Sequence, residues 1–184
     1  VGASLLIAGF ALIVANLGMT LWSARPLPGQ ARFVAAGLAC ICVTAAFGGT
    51  FSLVLSGTAI GAQWPDLLVS GVPIHAIAGL GGWLTFTAMG VSYRLLAMFM
   101  LAPDSDARLG RLAWLAGIAA LAVGAVGGVL ALWRATGVKL ALLLAGAAAL
   151  LSLIAYGRDM LGLYRARKRR ALELNTRMSL VALA

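Results

Sequence analysis

His75 is the single histidine of this 184-residue chain, and it stands near the start of the apolar stretch VPIHAIAGLGGWLTFTAMGVSYRLLAMFM. An imidazole inside a lipid-spanning segment is costly, so it calls for a hydrogen-bond partner or a ligand. Gly79, Gly82, Trp83, Phe86, Gly90 and Arg94 follow it at helical spacings, on or near the same face if the turn is 3.6 residues. Two glycines within two turns of an imidazole leave room for a flat, bulky ligand against the backbone, with Trp83 and Phe86 placed to stack on its edge. Haem is the candidate ligand, and His75 the candidate metal-binding residue. Two other readings stand beside it. His75 can hydrogen-bond a carbonyl and be structural, or hold another metal. Gly79 and Gly82 can simply admit a close neighbouring helix, as small residues do in membranes.

Other chemistry-bearing residues point to less. Met89, Met98 and Met100 are copper-competent, but methionine is also the usual filler of irregular cores. Copper is not supported by this segment. Cys40 and Cys42 are two positions apart and turn to different sides of a helix, so neither a disulfide nor a metal pair is expected. Gly124 and Gly128 have the spacing of a helix-packing pair. Arg94 is expected to snorkel to the membrane surface. Asn16 is read as an interhelical hydrogen-bonder within the first span.

The elements that position these residues are membrane helices. The chain is 62% hydrophobic and 10% charged, with a mean hydropathy of +1.02, too little charge for a soluble surface. An all-α, polytopic bundle follows, a single transmembrane domain with spans at about 1–22, 33–55, 68–100, 111–133 and 139–161. Loops rich in proline, glycine or charge separate them, and a basic tail covers 162–177. The net charge of +9 does not signal nucleic acid, because seven of the 14 basic residues lie between Arg158 and Arg177 and the rest flank apolar runs. The cluster of Arg165, Arg167, Lys168, Arg169 and Arg170 reads chiefly as a topology determinant and secondarily as a site for anionic lipid.

Twelve basic residues fall in the first and third loops and the tail, against two, Arg134 and Lys139, at the fourth. The positive-inside rule therefore puts the basic tail in the cytoplasm and residue 1 outside. Trp22, Trp64, Trp114 and Trp133 fall at span ends, where indoles favour the headgroup level. The third span then runs from outside to inside, with His75 in its outer half. Single cysteines placed in 57–63 and in 166–170 are expected to react with a membrane-impermeant maleimide from opposite sides; labelling from the same side contradicts this topology. The chain begins with Val in an apolar run and ends in MSLVALA, which reads as the first turns of another span. It is therefore expected to be a segment of a longer helical membrane protein.

The third span resembles helix II of the haem-copper oxidase subunit I superfamily, which includes cytochrome oxidases and nitric oxide reductases. His75, Trp83 and Gly90 stand in that helix's register of histidine, aromatic and glycine, and GVSYRLLAMFMLAP is similar to bacterial relatives of the subunit. The resemblance covers about 25 residues. It implies that His75 is an axial ligand of a low-spin haem, haem b, in a multi-pass protein of the bacterial inner membrane. The implied role is respiratory electron transfer or O2/NO gas chemistry. The chain departs from the family in having Ala97 where a proline is common and in lacking every other histidine ligand. Any oxidoreductase centre must therefore draw its remaining ligands from other helices of the same chain or from partner subunits. A non-catalytic scaffold or accessory subunit, and a transporter of a small solute or metal, are the alternatives; the spans carry almost no acidic residue for the latter.

Overall fold

The computed structural model describes residues 2–58, 61, 63–103, 107–133, 136–168, 177–178 and 181. Arg134, Arg169 and Arg170, on which part of the charge reading rests, lie outside these. Among the described residues all regular structure is helical: α1 (Gly2–Ser23), α2 (Gly29–Leu55), α3 (Gln63–Ala76), a π-helical segment (Ile77–Leu84), α4 (Thr85–Met100), α5 (Ala107–Leu132) and α6 (Val138–Arg165). Apolar runs of this length can satisfy their backbone groups in lipid only by coiling into helices. α3, the π segment and α4 form one continuous rod, so five spans result: Gly2–Ser23, Gly29–Leu55, Leu67–Met100, Arg108–Ala131 and Val138–Arg165. The protein is an all-α, multi-pass membrane bundle. Spans one to four fall close to their sequence-derived limits. The fifth does not stop at 161: it runs on to Arg165, so the first turn of the supposed tail is helix.

Two turns explain the sharp helix ends. α4 stops at Leu101, which takes the left-handed conformation at φ 49°. Leu101 N–H then donates to Met98 O at 3.3 Å and Ala102 N–H to Ala97 O at 3.0 Å, a Schellman closure of the last turn. Gly137, at φ 95°, lets the chain reverse between α5 and α6. The short connection makes these two an antiparallel hairpin. α2 lies against the whole third span and against α1; among the described residues α1 runs beside α2 alone and reaches the third span through one ring contact, Phe10 on Trp83.

The core sits where the third span finishes. Phe33, Phe86, Met89, Tyr93, Ala113 and Ala155 form one buried cluster, and Leu96, Met100 and Leu163 a second below it. Trp114 is half-buried and packs on the first cluster. It lies on the face of α5 turned to α2, α4 and α6. Trp22 and Trp133 are exposed, as an interfacial indole should be. Ser152 in α6 donates from Oγ to Ala113 O of α5 at 2.7 Å, fully inside the bundle. Ser152→Ala is expected to cost about 1 kcal/mol, since interhelical bonds in membranes are worth roughly that. Reversible unfolding in mixed micelles measures it, and an unchanged midpoint contradicts the assignment.

Candidate functional site

His75 is the penultimate residue of α3. Two positions earlier, Pro73 has no N–H, so the helix loses one rung of its hydrogen-bond ladder there. The backbone then widens into i→i+5 bonding from Ile77 to Leu84. Three glycines in that octapeptide, Gly79, Gly81 and Gly82, lower its resistance to leaving the α form. Thr85 Oγ1 donates to Leu80 O, five residues back, at 2.7 Å, satisfying a carbonyl in the widened turn. Such π segments occur frequently at functional sites.

The imidazole is half-buried and turned to α2. Its ring centroid lies 5.5 Å from that of Phe51 at 59°, and a Cβ on Gly48 would stand 3.4 Å from its Cε1. Nδ1 of His75 is buried and has no hydrogen-bond partner. Leaving a buried nitrogen bare costs about 1–3 kcal/mol in a native fold.

The residues below His75 diverge. Gly79 and Gly82 also face α2, but the space over them is taken. A Cβ on Gly79 would meet Thr44 Cγ2 at 3.4 Å, and one on Gly82 would meet Cys40 Sγ at 2.5 Å. Trp83 turns to α1, edge-on to Phe10 at 5.8 Å. Phe86 goes into the core, against Phe33 and the backbone of Gly117. Two features separate these side chains from a shared face: the π turn alters the 3.6-residue phase, and α2 sits where the flat ligand was expected. The imidazole keeps one unpartnered nitrogen, the kind of donor an iron could take, and that nitrogen is enclosed by protein in this packing. The residues below it do not fit a macrocycle laid over Gly79 and Gly82.

A cavity of about 510 Å³ opens on the other side of the π segment, lined by residues such as Ile77, Leu80, Gly81, Leu121, Gly124 and Leu142. His75 is not on its wall, and almost all of its surface is hydrocarbon. Met89 reaches this cavity and not His75. Gly128 receives Ile74 of α3, whose Cγ1 lies 2.5 Å from where a Cβ would be, and Gly124 stands 3.7 Å in the same sense from Ile77 Cγ2 of the π segment, so this pair packs against the third span. Cys40 and Cys42 are free thiols on different sides of α2: Cys40 against Gly82, Cys42 in the groove beside α1. Among the described residues no three His, Cys, Asp or Glu side chains come together.

Sequence reasoning missed one polar constellation. Asp159 and Tyr93 are each only 3% exposed, although both lie in spans. Asp159 Oδ2 and Tyr93 Oη converge over Gly110, 3.7 and 3.8 Å from where its Cβ would stand. Tyr156 lies edge-on to Tyr93 at 5.4 Å. Ser92 Oγ donates its proton to Met89 O at 2.9 Å, so the Tyr156 hydroxyl is the donor in its bond to Ser92. The available signal was Asp159 itself, an acid one helical turn from Tyr156 at the end of an apolar run. An acid in such a place is a functional-site candidate by default.

These features define a five-span α-helical membrane protein with a single imidazole beside a π-helical break. Comparison with family models, with curated proteins and with solved structures yields no match.

Proposed function

We propose that this chain is the helix bundle, or part of the bundle, of a bacterial inner-membrane haem protein. His75 supplies one axial ligand to a haem b, and the basic tail lies in the cytoplasm. The observation that carries the reading is the bare, buried Nδ1 of His75 beside a π-helical break, in a span resembling helix II of haem-copper oxidase subunit I. A bound haem supplies reversible one-electron exchange at iron. The chain's own part is to hold the imidazole oriented and shielded from water between α2 and α3, with Phe51 against the ring. Since α2 covers Gly79 and Gly82, His75 is the one residue of this set that would hold the haem, and any further ligand would come from outside the third span. The role is respiratory electron transfer or O2/NO gas chemistry, with any further metal ligands drawn from other helices of the same chain or from partner subunits.

A packing scaffold is the second reading, favoured by the way Thr44 and Cys40 close over the two glycines. Visible spectra of the detergent-purified protein, oxidised and then dithionite-reduced, with a pyridine haemochrome assay, separate the two. The haem reading expects a Soret band, a reduced α band and the haemochrome of haem b. Protein with no chromophore, prepared from haem-replete cells, leaves the scaffold.

A further inference from the structure

Asn16 lies on α1 about 5 Å from the middle of the helix at 1.5 Å per residue, well inside the hydrocarbon. It is exposed, and its side chain makes no bond among the described residues; its backbone carbonyl accepts from Thr20 Oγ1 at 2.9 Å. Lipid offers a carboxamide neither donor nor acceptor. The hydroxyls nearby are already satisfied, Thr20 by Asn16 O and Ser23 by Thr20 O. Among the described residues Asn16 therefore has no interhelical partner.

Asn16 belongs to a heptad row. Gly2, Gly9, Asn16 and Ser23 recur every seven residues, and Leu5, Leu12 and Met19 follow each of the first three by three. This is an a/d pattern with small or polar a positions and large apolar d positions. At 100° per residue the row lies about 180° from Ile7, Val14 and Leu21, which face α2. The contacts agree: Ile7 packs on Gly49, and Val14 and Leu21 line the groove against α2. Nothing stands within 4 Å of where a Cβ on Gly2 or Gly9 would be. Leu5, Leu12 and Met19 are 69%, 73% and 68% exposed.

We infer that this outer face of α1 is a homodimer interface, closed by α1 of a second copy of the chain. Self-pairing follows from membrane geometry. Two copies insert in the same sense, so their α1 helices run parallel and their Asn16 residues lie at one depth. A carboxamide carries both donor and acceptor, so it pairs with its own two-fold mate, as an a-position asparagine does in a parallel coiled coil. Gly2 and Gly9 let the backbones approach one turn after another, and the leucines fill the holes between them.

The test uses the whole protein in phosphatidylethanolamine–phosphatidylglycerol vesicles. Förster transfer between labelled copies is measured against protein-to-lipid ratio. A dimer is expected, with Asn16→Leu dissociating roughly tenfold more readily and Asn16→Gln retaining the wild-type curve. Independently, with Asn16 kept and Cys40 and Cys42 replaced by alanine, Gly9→Cys and Leu12→Cys are expected to form intermolecular disulfides. Ile7→Cys and Val14→Cys are not. Wild-type protein that stays monomeric overturns the inference and assigns the face to a foreign helix. So does a dimer indifferent to Asn16→Leu, or one that cross-links through Ile7→Cys. The cross-linking arm decides the matter even if the Asn16 variants fail to insert.

Discussion

His75→Ala is expected to abolish the Soret band of the purified protein while leaving the bundle inserted and helical. Removing the imidazole takes away the only side-chain nitrogen ligand on the third span. Alanine is the best helix former, and losing a polar group lowers the cost of residing in lipid. Circular dichroism should therefore be unchanged. The structural reading of His75 predicts a different outcome. Its Nδ1 has no partner to lose, so alanine would forfeit only the ring contact with Phe51, about 1 kcal/mol on the scale of aromatic pairs. His75→Met provides the sharper comparison. A thioether still ligates iron, so the expected result is a shifted reduced spectrum, not an absent one. An unaltered spectrum in His75→Ala would remove His75 from any cofactor site.

Gly90→Leu is expected to be the most damaging single change to the fold. A Cβ at this position would stand 2.8 Å from Gln30 O and from Val34 Cγ2, and 3.1 Å from Phe33 Cβ. Gln30 O is backbone, so no rotamer change relieves the clash and α2 must move away from α4. Gly37 makes the reciprocal approach from α2, with Thr87 Oγ1 at 2.6 Å and Trp83 O at 3.1 Å from its would-be Cβ. Even Gly90→Ala should destabilise, by about 1–3 kcal/mol, as overpacked cores do. The leucine should exceed that. Gly146→Ala is the matched control. Nothing stands within 4 Å of where its Cβ would be, so it should be neutral or stabilise by up to about 1 kcal/mol through helix propensity. Unfolding midpoints in mixed micelles give both numbers, and equal tolerance at the two glycines contradicts the α2–α4 contact.

The two kinds of glycine look the same in the sequence. Gly79, Gly82, Gly90 and Gly146 all interrupt apolar runs at helical spacing. α2 passes over the first three, at ordinary contact distance over Gly79 and too close for a side chain over Gly82 and Gly90, whereas nothing stands over Gly146. The same ignorance of neighbours made the face below His75 read as free space. The π segment added a second error, since a repeat counted at 3.6 residues per turn cannot foresee a stretch of i→i+5 bonds. Trp114 shows a related limit: an indole at a span end suits either the headgroups or a neighbouring helix, and the rotation of α5 is what sets it against the Phe33–Phe86 cluster.

The amino-acid sequence by itself determined the five helices, their approximate limits, the antiparallel α5–α6 hairpin and the oddness of a lone intramembrane histidine. These are one-dimensional properties: apolar length against bilayer thickness, the chemistry of short breaks, and the cost of a polar group in lipid. The tertiary structure decided which faces meet. It put Thr44 and Cys40 over the glycines below His75, and left Nδ1 without a partner. It brought Asp159 and Tyr156 of the last span to Tyr93 of the third, and turned the Asn16 row of α1 away from every other helix. Every span here is apolar all round, so hydropathy carries almost no record of rotation about the helix axis. Facing is set instead by where small residues admit close backbones, and that becomes visible only when the neighbouring helix is in place.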